Sequence, residues 1–391
     1  MTIAERYGKM AEDLLQYVEN KTTDLAAGVM QVPASHYTDP DRWAAEMELI
    51  FKRLPLLGGL SIEIPNPGDY KTIDILDNPV LITRLADGSV RAMLNICAHR
   101  AMAVAPEASG NCKRFTCRYH GWTYANDGRL LAIADAPTFG DVDKAAHGLI
   151  RLPVAERAGL IWIGLTPGTA MNIDDFLGDV VADLSQFAFE TWYFVGWRDL
   201  AGANWKVAYD GYLEGYHFAA AHPQTIHPRT YSNVMHFEAS GPHLRIGFPQ
   251  VNIGQLRDLP RAEWGKRENR NYDLVRTIFP SVSIFVAPEI TQIAQIRPGP
   301  TPDRNTTRLY YLRREPPKDE ADKAALQQMA DFFYDVVENE DYSIGFKVQK
   351  SLNAGALDHV LFGKNERGNQ YFHRWIEHYL EDDPTRPPPA L

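Results

Sequence analysis

Two short segments of the chain each place one cysteine close to one histidine. Cys97 and His99 have one residue between them, and Cys117 and His120 have two. Structural zinc sites usually group cysteine with cysteine and histidine with histidine. One of each in both segments instead favours a 2Fe–2S cluster, with both thiolates on one iron and both imidazoles on the other. Such a cluster transfers single electrons; a zinc site or a purely structural cluster is the alternative interpretation.

A second group of potential metal ligands follows further along the chain. The spacing of Asp210, Glu214 and His217 predicts that they share one face of a helix over residues 203–222. His222 lies at the end of that helix. Two histidines close in sequence and a distant carboxylate are typical of the facial triad that binds non-haem Fe(II) and leaves positions open for O2. Taken alone, histidines that are held by hydrogen bonds and bind no metal explain the same pattern.

A chain that carries both sites is suited to oxygenation with an external reductant. Hydroxylation of a C–H bond supplies only half of the electrons that full reduction of O2 needs, so the remainder must arrive from elsewhere, one at a time. An iron–sulfur centre passes single electrons, and a mononuclear Fe(II) with open positions activates O2. No GxGxxG motif opens a βαβ unit. The electrons of NAD(P)H are therefore expected to arrive through a separate flavin reductase, with or without a ferredoxin.

The composition argues against several other functions. Fifty acidic and forty basic residues give a formal charge of −10, whereas a nucleic-acid partner requires a basic patch. No apolar run approaches the roughly 20 residues that span a bilayer, so no membrane association is expected. Three cysteines in 391 residues do not provide a disulfide framework, and a reducing, cytoplasmic location is expected. We interpret Cys112 as a free core cysteine and not as a ligand.

The elements that position these residues predict an α+β fold. Short β-branched segments between residues 57 and 168 predict a small antiparallel β domain around the two Cys/His segments. Longer strands and helices follow, and they predict a larger domain with an antiparallel sheet flanked by helices, similar to a helix grip. The predicted parts are an N-terminal helical segment packed on the larger domain, the cluster domain, the catalytic domain and a Pro-rich tail: residues 1–40, 41–168, 169–382 and 383–391.

Two motifs carry a resemblance to a known family. The segment CRYHGWTYANDGRL, residues 117–130, resembles the second metal-binding loop of Rieske iron–sulfur domains. The first loop differs at Ala101, where that family usually has glycine. Residues 204–222 match the N-W-K…E/D-x-Y-H-x4-H segment of a catalytic domain. Together the motifs make the chain similar to the catalytic (alpha) subunit of a Rieske non-haem iron oxygenase, a family of ring-hydroxylating dioxygenases and related monooxygenases.

The resemblance implies a role for each residue of the second group. His217 and His222 would bind the mononuclear iron. Glu214 would hold the acidic position that links a Rieske histidine of a neighbouring subunit to an iron-bound histidine. Asp210 would lie near the iron without binding it. His227 repeats the five-residue spacing after His222, and we assign it to the pocket or to a structural role.

The third iron ligand has to be a carboxylate much further along the chain. The family often shows a Glu-Asp pair followed eight residues later by glutamine, and this pattern selects Asp341. Glu340 and Glu338 are the alternative ligands, and a solvated acidic helix face is the alternative interpretation of all three. The resemblance also implies a ring of three identical chains, with or without a small beta subunit, because each cluster then serves the iron of an adjacent subunit.

Three functional hypotheses remain. The first is a terminal oxygenase that hydroxylates or oxidatively dealkylates a hydrophobic, aromatic small molecule. The second is a quaternary-ammonium (carnitine- or choline-like) monooxygenase, because Glu214 stands where aromatic-ring dioxygenases generally have aspartate; aromatic side chains would then surround the cation. The third is a non-enzymatic electron carrier or a zinc-stabilised interaction protein. Candidates for the pocket or the aromatic cage are Tyr212, Tyr216, Phe218, Ile226, Tyr231, Met235, Phe237, Leu244, Ile246, Phe248, Ile284, Phe285 and Ile293.

Overall fold

The computed structural model describes residues 2–383 and 385–391 of the chain. Pro384, in the predicted Pro-rich tail, lies outside the described residues, as does Met1. The chain divides into two compact units. The large unit consists of Met1–Ile50, Leu177–Asp183 and Tyr193–Leu391. The small unit consists of Phe51–Phe176 and Leu184–Trp192.

Helices of several lengths occur along the described residues. The α-helices are α1 (Ile3–Asn20), α2 (Pro40–Glu46), α3 (Ala136–Phe139), α4 (Ile173–Leu177), α5 (Val180–Ser185), α6 (Trp205–Asp210), α7 (Phe218–Ala221), α8 (Glu320–Val336), α9 (Ser343–Asn353) and α10 (Arg367–Glu381). Two π-helical turns are Met47–Phe51 and Val337–Tyr342. Short 3₁₀ helices are Ala34–Tyr37, Ser61–Glu63, Phe189–Thr191, Ile253–Asp258 and Arg261–Lys266.

The strands are numbered in chain order. Those of the first half are β1 (Met30–Pro33), β2 (Leu56–Leu60), β3 (Asp69–Ile75), β4 (Asn78–Arg84), β5 (Val90–Leu94), β6 (Ser109–Asn111), β7 (Arg114–Thr116), β8 (Thr123–Ala125), β9 (Leu130–Ala132), β10 (Arg151–Leu152), β11 (Val154–Arg157) and β12 (Leu160–Ile163). Those of the second half are β13 (Tyr193–Gly202), β14 (His236–Ser240), β15 (His243–Pro249), β16 (Tyr272–Ile278), β17 (Val282–Phe285), β18 (Thr291–Pro298), β19 (Asn305–Arg313) and β20 (His359–Phe362).

The large unit is built on an antiparallel sheet with the strand order β13-β19-β18-β17-β16-β15-β14. Helix α1 forms where apolar spacing predicts it, and it packs against this sheet. Met10 and Leu14 of α1 lie over Gly247 of β15, where an added Cβ atom would come within 2.6 Å of the Met10 sulfur. Gly247 therefore permits the close approach of helix and sheet.

Helix α2 also belongs to the large unit. It begins where the Asp39-Pro40 pair predicts it, because the Asp39 side chain accepts hydrogen bonds from two backbone amides of the first turn. The helix carries Glu46, whose carboxylate oxygens lie 2.5 and 2.6 Å from Lys206 Nζ. Both side chains are fully buried. The boundary between the units consequently falls at residue 51, whereas the sequence placed it at residue 41.

The small unit contains antiparallel sheets of five, three and three strands, with the orders β10-β5-β4-β3-β6, β11-β12-β2 and β7-β8-β9. The first Cys/His segment follows β5, and the second is the turn between β7 and β8. Cys97 and Cys117 belong to the hydrophobic core of this unit, together with Met93, Phe115 and Leu130. The core of the unit is thus organised around the two cysteines.

The single helix predicted over residues 203–222 is wrong. Helix α6 ends at Asp210, and α7 is only one turn. The Glu214 carboxylate accepts hydrogen bonds from the backbone amides of Tyr216 and His217, which a continuous helix would use for its own ladder. Asp210, Glu214 and His217 therefore do not share a helical face.

A long helical segment follows Pro316 and Pro317, and it is interrupted. It runs through α8, the π-helical turn Val337–Tyr342 and α9. A π-helical turn widens the helix by one residue and redirects the side chains that it carries, and such turns are frequent at functional sites. Glu340 and Asp341 lie in this turn. Among the described helices, none combines the length and the apolar character needed to cross a membrane.

Removal of the Glu46 charge tests the contribution of the buried pair. Burial lowers the pKa of Lys206, and the Glu46 carboxylate opposes that effect. Glu46→Gln keeps an oxygen for hydrogen bonding but removes the carboxylate that pairs with the buried ammonium and with Arg42. We expect the free energy of unfolding to fall by about 3 kcal/mol, measured by urea titration. The double variant Glu46→Gln/Lys206→Met should recover at least half of this loss of free energy. If the effects of the two single changes on the free energy of unfolding simply add, the pairing of the two charges is contradicted.

Candidate metal centres and cavity

Two turns of similar construction present the ligand candidates of the small unit. The amide of Ala101 donates to the carbonyl of Cys97, and the amide of Gly121 donates to the carbonyl of Cys117, each at 2.9 Å. Each turn then has one residue in the left-handed backbone conformation, with φ of 61° at Ala101 and 71° at Gly121. The structure therefore brings both cysteines into equivalent backbone environments.

The four candidates lie at two depths. Cys97 and Cys117 are buried, at 3% and 2% exposure. His99 and His120 are partly exposed, and their ring centroids are 4.5 Å apart. A 2Fe–2S cluster with mixed ligands requires this arrangement, in which two thiols are buried and two imidazoles lie nearer the surface.

The surroundings of His99 and His120 fit metal binding. Nδ1 of His99 is buried and has no hydrogen-bond partner among residues 2–383 and 385–391. Its ring stacks on Trp122, with centroids 5.1 Å apart and an interplanar angle of 11°. Desolvation lowers the pKa of His120, and the neighbouring His99 and Arg100 lower it further. The His120 ring is thereby disposed to be neutral, the form that binds a metal ion.

Tyr124 supports one of the thiols. Its hydroxyl accepts a hydrogen bond from the Ala98 amide at 3.0 Å and lies 3.2 Å from Cys97 Sγ. Burial raises the pKa of Tyr124, so the phenol keeps its proton. A buried phenol that donates towards sulfur stabilises a thiolate. Together with the orphaned imidazole nitrogen, this donor set fits an iron–sulfur cluster.

A second constellation lies in the large unit. The ligand atoms of His217, His222 and Asp341 all lie within 4.8 Å of one another. Asp341 Oδ1 is 3.0 Å from His222 Nε2 and 3.6 Å from His217 Nε2. His222 is buried at 1% exposure, while the other two side chains are partly exposed. Two imidazoles and one carboxylate that converge in this way fit a facial triad.

Each histidine of this constellation is held from behind by a glutamate. Nδ1 of His217 is hydrogen-bonded to Glu214 Oε1, and Nδ1 of His222 is hydrogen-bonded to Glu340 Oε2. The Thr225 hydroxyl donates to the same Glu340 oxygen at 2.6 Å. Carboxylates in these positions fix the ring orientation and leave Nε2 of each histidine directed towards Asp341.

The structure separates the acidic residues that the sequence left as alternatives. Glu340 contacts the far side of His222, and Glu338 accepts a hydrogen bond from Tyr334 at 2.8 Å. Asp341 alone of the three meets both histidines. Burial lowers the pKa of His222, but Asp341 and Glu340 outweigh that effect and raise it. The negative charge around the rings thus attracts a cation, which is a proton when no metal is bound.

Asp210 lies outside this constellation. Its carboxylate accepts a hydrogen bond from the Tyr37 hydroxyl at 2.9 Å and lies 3.0 Å from His373 Nε2. It borders a cavity of about 290 Å³ that His217 and Asp341 also line. This placement brings Asp210 near the candidate ligands through a shared cavity and not through direct contact.

A larger cavity of about 530 Å³ adjoins the three candidate ligands. Most of its wall is apolar, which favours an apolar occupant and disfavours bulk water. The walls come from the segment after α6, from strands β15 to β17 and from α8 with the turn that follows it. The apolar and aromatic lining residues are Tyr212, Phe218, Ile226, Phe248, Val275, Phe285, Ile290, Met329, Phe332, Phe333, Val336 and Val337.

Charged side chains also line the larger cavity. Besides Glu214 and Asp341, they are Arg229, Asp273 and Glu289. Burial raises the pKa of Asp273 to about 6, although a hydrogen bond from Gln250 at 3.0 Å and the charge of Arg229 act in the opposite direction. Most of the cavity surface is therefore apolar, but a few charged side chains lie at defined positions on it.

The sequence predicted this lining only in part. Of the pocket and cage candidates, Tyr212, Phe218, Ile226, Phe248 and Phe285 line the cavity. The other candidates are not among the described lining residues, and most are buried in the core. His227 is exposed and lines neither cavity. The sequence did not predict Arg229, Asp273 or the cavity-facing side of α8, although the apolar stripe of α8 was an available signal.

Two family models match the chain. Residues 59–144 match the Rieske [2Fe-2S] domain, and residues 189–382 match the catalytic domain of ring-hydroxylating alpha subunits. The glycine betaine monooxygenase oxygenase subunit of Chromohalobacter salexigens is 33% identical over 310 residues, which are 77% of this chain and 68% of that protein. The chain therefore belongs to the family of Rieske oxygenase alpha subunits. The α+β fold class and the family predicted from the motifs are confirmed.

Two further comparisons place the chain within this family. The anthranilate 1,2-dioxygenase large subunit of Acinetobacter baylyi is 32% identical over 247 residues, which are 61% of this chain and 49% of that protein. This match spans about half of that relative. Among solved structures, the quaternary ammonium Rieske monooxygenase CntA superposes with a TM-score of 0.78 at 20% identity, covering 95% of this chain and 98% of that one. The superposition shows that the two share a fold.

Ala101 provides a test of the first cluster turn. An alanine in the left-handed region is strained, whereas glycine adopts that conformation freely. We expect Ala101→Gly to raise the free energy of unfolding by about 0.5–1 kcal/mol, measured by urea titration of the cluster-loaded chain. The neighbouring change Ala98→Gly, outside the left-handed region, should lower it by a similar amount. A loss of stability in Ala101→Gly would contradict this interpretation.

The titration of Asp273 gives a prediction about pH. Its pKa of about 6 lies above the ordinary value of 3.8, so the folded chain holds a proton that the unfolded chain releases between pH 4 and 6. Stability from this group is present at pH 4 and is lost as the pH rises through 6. We expect Asp273→Asn to raise the free energy of unfolding at pH 7 by about 1–2 kcal/mol relative to the unchanged chain. At pH 4 the difference should vanish, and an equal effect at both pH values would contradict the assignment.

Proposed function

We propose that this chain is the terminal oxygenase component of a multi-component system, which uses O2 and external electrons to oxidise a small organic molecule. In this proposal Cys97, His99, Cys117 and His120 hold a 2Fe–2S cluster. The observation that carries the proposal is the convergence of two histidines and a carboxylate beside a largely apolar cavity. His217, His222 and Asp341 are the proposed ligands of a mononuclear Fe(II).

The proposed groups and the residues of the chain have separate tasks. When bound, the cluster supplies single-electron transfer and the Fe(II) supplies O2 activation. Glu214 and Glu340 keep the two imidazoles in one tautomer and one orientation. The apolar walls of the cavity hold the substrate and exclude water from it. Glu214 is also the proposed link, by family resemblance, to the cluster of a neighbouring subunit.

The substrate of the leading proposal is a hydrophobic, aromatic small molecule that is hydroxylated or oxidatively dealkylated. The size of the cavity and its aromatic lining support this class. A quaternary-ammonium substrate is the second candidate, because a relative that covers 77% of this chain is named a glycine betaine monooxygenase. Product analysis separates the two candidates, because the product of an aromatic substrate retains its ring, whereas a quaternary-ammonium substrate gives an amine product without an aromatic ring.

The proposed partners follow from the same considerations. Rieske oxygenase alpha subunits work with a reductase, and we propose a flavin reductase, with or without a ferredoxin, as the electron donor. We propose a ring of three chains; the relatives are named as subunits, which supports an oligomer and leaves room for a beta subunit. The three free cysteines support a reducing, cytoplasmic location.

Metal analysis of ligand variants tests the proposed function. Anaerobically purified chain should contain about three irons and two acid-labile sulfides. We expect Asp341→Asn to retain the cluster but lose the third iron, because an amide is a weaker ligand than a carboxylate. The matched control is Glu338→Gln, a change in the same helical segment away from the two histidines. Full retention of the third iron in Asp341→Asn, or its loss in the control, would contradict the ligand assignment.

A further inference from the structure

Arg229 differs from every other lining residue of the large cavity. Among the described residues that line it, Arg229 is the single lysine or arginine. Its guanidinium makes no hydrogen bond or ion pair with residues 2–383 or 385–391. Most other arginines of the large unit, such as Arg245 and Arg276, are paired with carboxylates. An unpaired guanidinium at a cavity wall is available to a ligand.

The backbone holds Arg229 firmly in this position. Its amide donates to the carbonyl of Ile226 at 3.0 Å, and its carbonyl accepts from the amide of Val251 at 2.9 Å. The next residue, Thr230, is buried and pairs with Gln250 across an antiparallel bridge. The base of the side chain is thus fixed while its charged end is free.

The other charges of the cavity do not neutralise Arg229. It acts on Asp273 at a distance and lowers the pKa of that carboxyl group, but no ion pair within 4.0 Å joins the two among the described residues. Asp273 instead accepts a hydrogen bond from Gln250. Arg229 is itself exposed, so water partly screens its attraction for an anion, and the geometry of the contact contributes alongside the charge. A guanidinium matches the planar geometry of a carboxylate through two parallel hydrogen bonds.

We propose that Arg229 binds a carboxylate group of the substrate, and hence that the substrate is a small organic acid. This inference rests on the proposed function, because it takes the large cavity as the substrate site. Both substrate candidates are compatible with it, since the acid can be an aromatic carboxylate or a trimethylammonium carboxylate. In the second case Asp273 and Glu289, on the same cavity, would be available to the cation.

Binding without turnover tests the proposal. The iron-loaded chain is titrated by calorimetry, anaerobically and without reductant, with two matched pairs of probes. One pair is benzoate and benzamide; the other is glycine betaine and its primary amide. We expect at least one carboxylate to bind about 10- to 100-fold more tightly than its amide. In Arg229→Gln this preference should fall to about one, and Arg229→Lys should retain part of it.

The controls separate this proposal from the proposed function. Arg304→Gln changes an exposed arginine of the large unit that lines neither cavity, and it should keep the preference for the carboxylate. Iron content of each variant verifies the metal site independently, so loss of iron bears on the function and not on Arg229. The pair that shows the preference identifies the aromatic or the trimethylammonium source. Equal binding of acid and amide in both pairs, or an unchanged preference in Arg229→Gln, would overturn the proposal.

Discussion

The approach of Asp341 to the two histidines is the contact on which the rest of the candidate site depends. His222 and Asp341 are 119 residues apart in sequence, and their side chains lie 3.0 Å apart. One end of this contact is supplied by the broken segment after α6, and the other by a π-helical turn. A regular helix in either place would point these side chains elsewhere. The broken segment and the π-helical turn therefore have the same result: they bring three ligand atoms together beside a cavity.

The electrostatics of the site follow from that convergence. Glu214, Glu340 and Asp341 direct three carboxylates at two imidazoles, so a bound cation lowers the repulsion among them. Carboxylates crowded in this way are costly unless hydrogen bonds and a metal compensate for them. Thr225 and the backbone amides next to Glu214 supply part of that compensation. The cavity beyond these groups is mostly apolar, and Arg229 is the one lysine or arginine among its described lining residues.

The sequence carries most information about residues that lie close together in the chain. The spacing of Cys97, His99, Cys117 and His120 predicts neighbouring ligands, because each pair lies in one short turn. Asp341 was selected by family pattern and not by physics, since neighbouring carboxylates have similar local sequence. The helix over residues 203–222 was wrong because the Glu214 side chain takes up backbone amides, a competition that periodicity does not register. The cavity residues Arg229 and Asp273 come together only through strand pairing, so no local pattern marks them.

The central claim is that one chain carries two different iron centres on the residues named above. The most direct measurement is an anomalous difference map from crystals of the anaerobically purified protein, collected on both sides of the iron absorption edge. The account predicts iron density between the two Cys/His turns and separate iron density among His217, His222 and Asp341. Zinc at the Cys/His turns, or no anomalous density at the second site after Fe(II) has been added, would contradict it.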